Sequence, residues 1–327
     1  MDSVGLLAWI LNTSMHDAVD VLNGRTQATY TPASATATLA HPAHTTNTPP
    51  APNAENSLEW RQNAAQRIQA DVARLLTHTS DGAQAARDYL GRRGLTRETW
   101  TQFELGYSKA HVGDGVYVPA ISWPVRHEST NEVWAVRYRI LPPGDATLRY
   151  TSLVGSRMVG GRLFGAQHMW ADRTAPYRCL FVCEGEFNAM SIWQLANTHG
   201  VDVLSFGSEA QSAIPAWGVD VAGRYGCVVV WMDSPKKAAG VTVQLPQARL
   251  LQSPLTADGQ KQDANFCLTS GTLGIVVTMA RLRTLPNDNE RRGVLYQLMD
   301  VRDAGIALDA GTVQVAQKVA GELGMVW

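Results

Sequence analysis

Two apolar runs in this chain each stop at an acidic residue, and that pattern constrains the fold more than any other. Leu180-Phe181-Val182-Cys183 runs into Glu184-Gly185-Glu186-Phe187-Asn188-Ala189-Met190, and Val228-Val229-Val230-Trp231-Met232 runs into Asp233. A third acidic element, Lys261-Gln262-Asp263-Ala264-Asn265, follows. The end of an apolar run in an open α/β sheet is the carboxyl end of a strand, the edge at which such sheets place ligands. Three carboxylates delivered to one edge suit a magnesium and phosphate site.

The surrounding sequence supplies the rest of such a sheet. From Leu180 to about Leu268 strands and helices alternate, as a parallel sheet with crossover helices requires. Before it, Gly113 to Tyr150 alternates β-branched and aromatic residues between turn signals (Gly113-Asp114-Gly115, Pro142-Pro143-Gly144), which reads as a small strand-rich unit. Ser57 caps a long amphipathic helix reaching about His78, with Glu59 early in it. Residues 1–25 read as two short helices, with Val4, Leu7, Ala8 and Leu11 at helical spacing. Residues 26–56 are rich in Thr, Ala, Pro and Asn and carry almost no charge, the composition of a mobile linker. After Ser270 the pattern is helical, with one helix near Glu290 to Val301 and another near Thr312 to Leu323.

Several function classes are excluded by what is missing. The apolar opening, Val4 to Leu11, lacks a basic start and is too short to cross a bilayer, so the expected location is the cytoplasm and no membrane partner is expected. Cys179, Cys183, Cys227 and Cys267 contain no closely spaced pair, so they are expected to be buried thiols, with neither zinc nor a disulfide framework. A net charge of −1 is low for a nucleic-acid protein, but the distribution is uneven. Arg92, Arg93, Arg97, Lys109, Arg126, Arg137, Arg139, Arg149 and Arg157 make the segment before the acidic edge locally basic.

The order strand-Glu-Gly, helix, strand, Gly207-Ser208, strand-Asp and Asp-Ala-Asn resembles the TOPRIM domain shared by bacterial replicative primases, topoisomerases and some nucleases. Upstream, Ala86-Arg87-Asp88-Tyr89-Leu90-Gly91-Arg92-Arg93-Gly94-Leu95-Thr96 and Phe103-Glu104-Leu105-Gly106-Tyr107 resemble the entry to the RNA polymerase core of DnaG-type primases. Ile121 to Val125, Val136 to Leu141, Arg149 to Ser152 and Leu163-Phe164-Gly165 follow in that family's order. The succession spans Ala86 to Asn265, a little over half the chain.

The resemblance implies an α/β fold with five parts: a helical remnant after a missing zinc ribbon (1–25), a linker (26–56), a small α+β primase subdomain (57–168), a TOPRIM sheet, mostly parallel with flanking helices (169–268), and a helical tail (269–327). It implies Mg²⁺ or Mn²⁺ as cofactor, with Glu184 and Asp233 catalytic and Glu184, Asp233 and Asp263 as metal ligands. Arg137, Arg139 and Arg149 would contact nucleic acid or nucleotide, with Lys236 and Lys237 beside them. Arginine forks suit phosphate because they bind it bidentately and keep their charge. The implied partners are a single-stranded DNA template, ribonucleoside triphosphates, and a replicative helicase or a separate zinc-ribbon protein of a phage or mobile element.

The departures from the family pattern open a second reading. Where the family has an aspartate-x-aspartate pair, this chain reads Asp233-Ser234-Pro235-Lys236-Lys237. One carboxylate is lost and two ammonium groups arrive, at a cost of about 1 to 4 kcal/mol in metal affinity. Asn188 stands where an acidic residue is usual. Glu186 is expected to support the start of the helix after the first strand, and Asn265 to cap a later one. The leading expectation is a primase that makes RNA primers on single-stranded DNA. The alternative is a TOPRIM module with a decayed metal site that binds nucleic acid or a replication partner; a TOPRIM nuclease lacks support from the upstream motifs.

Overall fold

The chain divides into two units, residues 1–55 and 56–327. The computed structural model describes residues 57–142, 149–156, 162–169, 178–207, 213–253, 256, 259, 261–285 and 287–327. The expected helices of residues 1–25, the linker of 26–56, and the positions of Arg157 and Ser208 lie outside them.

Within the second unit, α1 (Leu58–Thr77) begins where the Ser57 hydroxyl accepts the Trp60 N–H at 3.1 Å, and α2 (Asp81–Arg92) and α3 (Arg97–Gln102) follow it. The first sheet is antiparallel, in the order β1 (Gly106–Gly113), β2 (Val116–Arg126), β3 (Val133–Ile140) and β4 (Tyr150–Ser152). Strand alternation gives it two faces. Ala110, Ala120, Val136 and Tyr138 pack with Ala64 and Ile68 of α1. The register Ile121↔Arg139↔Tyr150 and Trp123↔Arg137 puts a basic and aromatic set on the other face. The helix comes so close to β1 that a Cβ at Gly106 would lie 2.4 Å from the Asp71 Cβ, which only glycine avoids.

The second sheet is parallel. Its elements are β5 (Cys179–Cys183), α4 (Glu186–Ala196), β6 (Val201–Ser205), α5 (Ala216–Ala222), β7 (Cys227–Met232), α6 (Pro235–Gln244) and β8 (Arg249–Gln252), with strand order β6-β5-β7-β8. All residues of β5, β6 and β7 are buried, as strands covered on both faces must be. Leu180, Val182, Leu204, Val228, Val230 and Met232 form much of this core. An antiparallel bridge joins Phe164 to Ser205 of β6.

After β8 comes α7 (Ala264–Thr269), and the tail contains α8 (Leu273–Thr284), α9 (Asp288–Asp303) and α10 (Ala310–Glu322). The last two coincide with the helices expected from sequence; α8 lies in the stretch read as helical but had not been placed as a separate helix. Among the described residues no helix is long and apolar enough to cross a membrane.

One expectation about the cysteines fails. Cys179 and Cys227 are directly opposite in the β5–β7 register, with Cα atoms 4.4 Å apart, and form a disulfide. Cys183 and Cys267 are buried free thiols. Sequence spacing could not show the pairing because strand register brings the two residues together.

Candidate functional site

Glu184 and Asp233 are delivered by adjoining strands. Since β5 and β7 pair in parallel with Cys183 opposite Trp231, the residues following each strand emerge at the same edge. The backbone N–H of Asp233 donates to Glu184 Oε2 at 3.2 Å, fixing the two strand ends relative to one another. Each carboxylate also has an ammonium partner. Lys237 Nζ is 2.8 Å from Glu184 Oε1, and Lys261 Nζ is 3.0 Å from Asp233 Oδ2. Lys237 comes from the first turn of α6, whose Pro235 suits a helix start because its missing N–H would be unpaired there. Lys236, its neighbour, is exposed.

The helix start expected at Asn265 falls instead at Asp263. Asp263 is the N-cap of α7, its Oδ1 accepting the Phe266 N–H at 2.8 Å. Burial raises the Asp263 pKa, opposed by that N–H, and the Asp233 charge raises it further. Asn265 lies inside the helix and is buried, donating through Nδ2 to the Arg93 carbonyl at 2.8 Å and to Ser191 Oγ at 2.9 Å. Its backbone N–H reaches Asn188 Oδ1 at 3.1 Å, so the unusual asparagine ties α4 to α7. The cap prediction failed because both residues are good N-caps, and only the true helix start decides between them.

Glu186 opens α4, where a carboxylate complements the helix dipole. It is buried, and Arg137 Nε stands 3.4 Å from its Oε1 without hydrogen-bond geometry. Burial raises its pKa against the lowering by Arg137. Gly207, at φ +63°, passes so close that a Cβ there would meet Glu186 Oε1 at 2.8 Å.

On the face of the antiparallel sheet turned away from α1, Arg139 lies over the Tyr150 ring at 4.7 Å, and Arg137 stands 5.7 Å from the same ring. Tyr150 remains exposed, and Arg149 beside it is exposed with its carbonyl accepting the Ile140 N–H. Sequence reasoning missed Tyr89 and Arg93 as members of this region, although both stand in the quoted motif. Arg93 Nη2 and Arg139 Nε both donate to the Tyr89 hydroxyl, at 3.1 and 3.2 Å.

Magnesium requires oxygen ligands, and Glu184 and Asp233 supply them at one strand edge. The two lysines compete for the same oxygens. Lys261 has a half-exposed side chain and Lys237 a flexible arm, so both can withdraw. This donor set fits one divalent ion better than two.

Fold and edge together define a class: an α/β core whose parallel sheet presents carboxylates at its carboxyl end, beside an antiparallel sheet with an arginine and aromatic face. Two solved structures are similar to it in fold. One is the RNA polymerase domain of Mycobacterium tuberculosis primase DnaG in complex with a double-stranded DNA oligomer with a 6-nucleotide overhang, at 16% identity and a TM-score of 0.50, covering 83% of this chain and 99% of that one. The other is the same domain in complex with double-stranded DNA GACCGGAAGTGG, also at 16% identity and a TM-score of 0.50, covering 83% and 100%. The chain has the fold of a DnaG-type primase core. No family model matches the sequence, and no curated protein does.

Proposed function

We propose that the chain is a primase-type RNA polymerase core, with the parallel sheet as its TOPRIM unit, synthesising short RNA primers on single-stranded DNA by metal-dependent nucleotidyl transfer. The observation that carries this reading is the meeting of Glu184 and Asp233 at adjoining strand ends. Glu184 and Asp233 would hold one Mg²⁺ or Mn²⁺, with Asp263 behind them, and the ion would supply charge neutralisation to the substrate phosphates. Lys236 and Lys237 add positive charge where a triphosphate would lie. Arg139 and Arg149 bind template or product phosphates, and Tyr150 offers a ring for base stacking. Arg137 is held by Glu186 and acts through the local field. The DNA bound to the similarly folded domains supports the template assignment.

A second reading is favoured by the lysine partners of both carboxylates: a nucleic-acid-binding module that has given up metal. Calorimetric titration with Mg²⁺ and Mn²⁺ separates the two. The catalytic reading predicts one ion per chain, lost in Glu184→Ala and Asp233→Ala, and about tenfold tighter binding in Pro235→Asp, which adds a carboxylate at the start of α6. Absence of binding in both the natural protein and Pro235→Asp favours the module. Two tight sites in the natural protein contradict the lysine-limited account.

A further inference from the structure

Tyr89 lies on α2 and is buried, with its ring edge-on to Phe187 at 6.0 Å. Its hydroxyl oxygen receives two guanidinium donors, Arg93 Nη2 and Arg139 Nε. The same arginines also lie against the Tyr89 ring, at 5.4 and 5.9 Å from its centroid. Arg93 is anchored at its other end by Asn265, whose Oδ1 accepts from Nη1 at 2.9 Å. Arg139 is placed over the exposed Tyr150 ring.

Two cations converging on one neutral oxygen repel each other. Among the described residues neither forms an ion pair with a carboxylate; Asp263 reaches Arg93 only through its field. Such convergence is relieved when an anion binds both forks. A phosphodiester meets that need, with its base able to stack on Tyr150.

We propose that Tyr89 is a positioning residue that gathers Arg93 and Arg139 into a single clamp for the phosphodiester backbone of single-stranded nucleic acid. This rests on the template-binding reading above and names the subsite and the residue that organises it. The hydroxyl, rather than the ring, does the gathering, so Tyr89→Phe removes the function while keeping the contact with Phe187.

The test is fluorescence anisotropy of a labelled single-stranded oligonucleotide with the full chain over a salt series. Arg139→Ala should weaken binding and reduce the magnitude of the salt slope by about 0.7, the value for one phosphate contact on a single strand. Tyr89→Phe should weaken binding about fivefold with the slope unchanged, because it removes no charge. In the Arg139→Ala background most of that fivefold effect should vanish, since Tyr89 then has one arginine left to position. Thermal unfolding of Tyr89→Phe checks that its fold is retained. Affinity in Tyr89→Phe equal to the natural protein's, or a fivefold loss in both backgrounds, overturns the clamp while leaving Arg139-dependent binding intact. Absence of single-stranded DNA binding in the natural protein would instead overturn the template reading itself.

Discussion

His168 shows how one half-buried side chain couples this fold to pH. Its ring packs against Phe103 at 4.4 Å, and Nδ1 is 3.1 Å from Gln102 Nε2. Burial, with a smaller push from the Arg126 charge, lowers its pKa to about 4. Above the unfolded value of about 6.5, histidine is neutral in both states and its native contacts contribute in full. As pH falls from there through 4, the unfolded chain takes up a proton that the native state refuses, so stability declines by up to about 3 kcal/mol. The stability difference between the natural protein and His168→Gln should therefore shrink between pH 7 and 4, measured as midpoints of thermal unfolding. A difference independent of pH would contradict the assignment. At this scale the sequence revealed Glu184 and Asp233, since acidic residues ending apolar runs need only a strand to place them. The Tyr89, Arg93 and Arg139 cluster was not legible, because its members come from a helix, its cap and a distant strand and meet only through packing.

Among the elements, α1 is the most completely specified by its own residues. Ser57 caps it, Glu59 complements its dipole, and Ala64, Ile68 and Leu75 bury one face. Ser57→Ala should cost about 1 kcal/mol, read as a lower denaturant midpoint with an unchanged slope. No change would mean that packing of α1 on the sheet, including the 2.9 Å bond from Trp60 Nε1 to the Val154 carbonyl, fixes its start without the cap. The strand and helix alternation from β5 to β8 was equally legible, because buried parallel strands are short apolar runs. In contrast α8 was read only as part of a helical stretch and was not placed as a separate helix. It buries Leu273, Val276, Val277, Thr278, Arg281 and Leu282 on several sides, so it lacks the clear polar and apolar stripes that announce a helix.

For the whole molecule, the two sheets divide the work. The parallel sheet fixes two carboxylates at one edge, and the antiparallel sheet carries Arg137, Arg139 and Tyr150 on one face. A net charge of −1 is compatible with that division because the positive groups are concentrated before the acidic edge rather than spread over the surface. The overall order of motifs revealed this architecture; the charge state of the edge emerged only when Lys237 and Lys261 were seen to meet Glu184 and Asp233. The central claim, nucleotidyl transfer at that edge, is tested most directly by primer synthesis from labelled ribonucleoside triphosphates on single-stranded DNA with Mg²⁺ or Mn²⁺. The account predicts short, metal-dependent RNA products that disappear in Glu184→Ala and in Asp233→Ala while both variants remain folded. Product formation that persists in both variants, or no product from the natural protein with either ion, would contradict it.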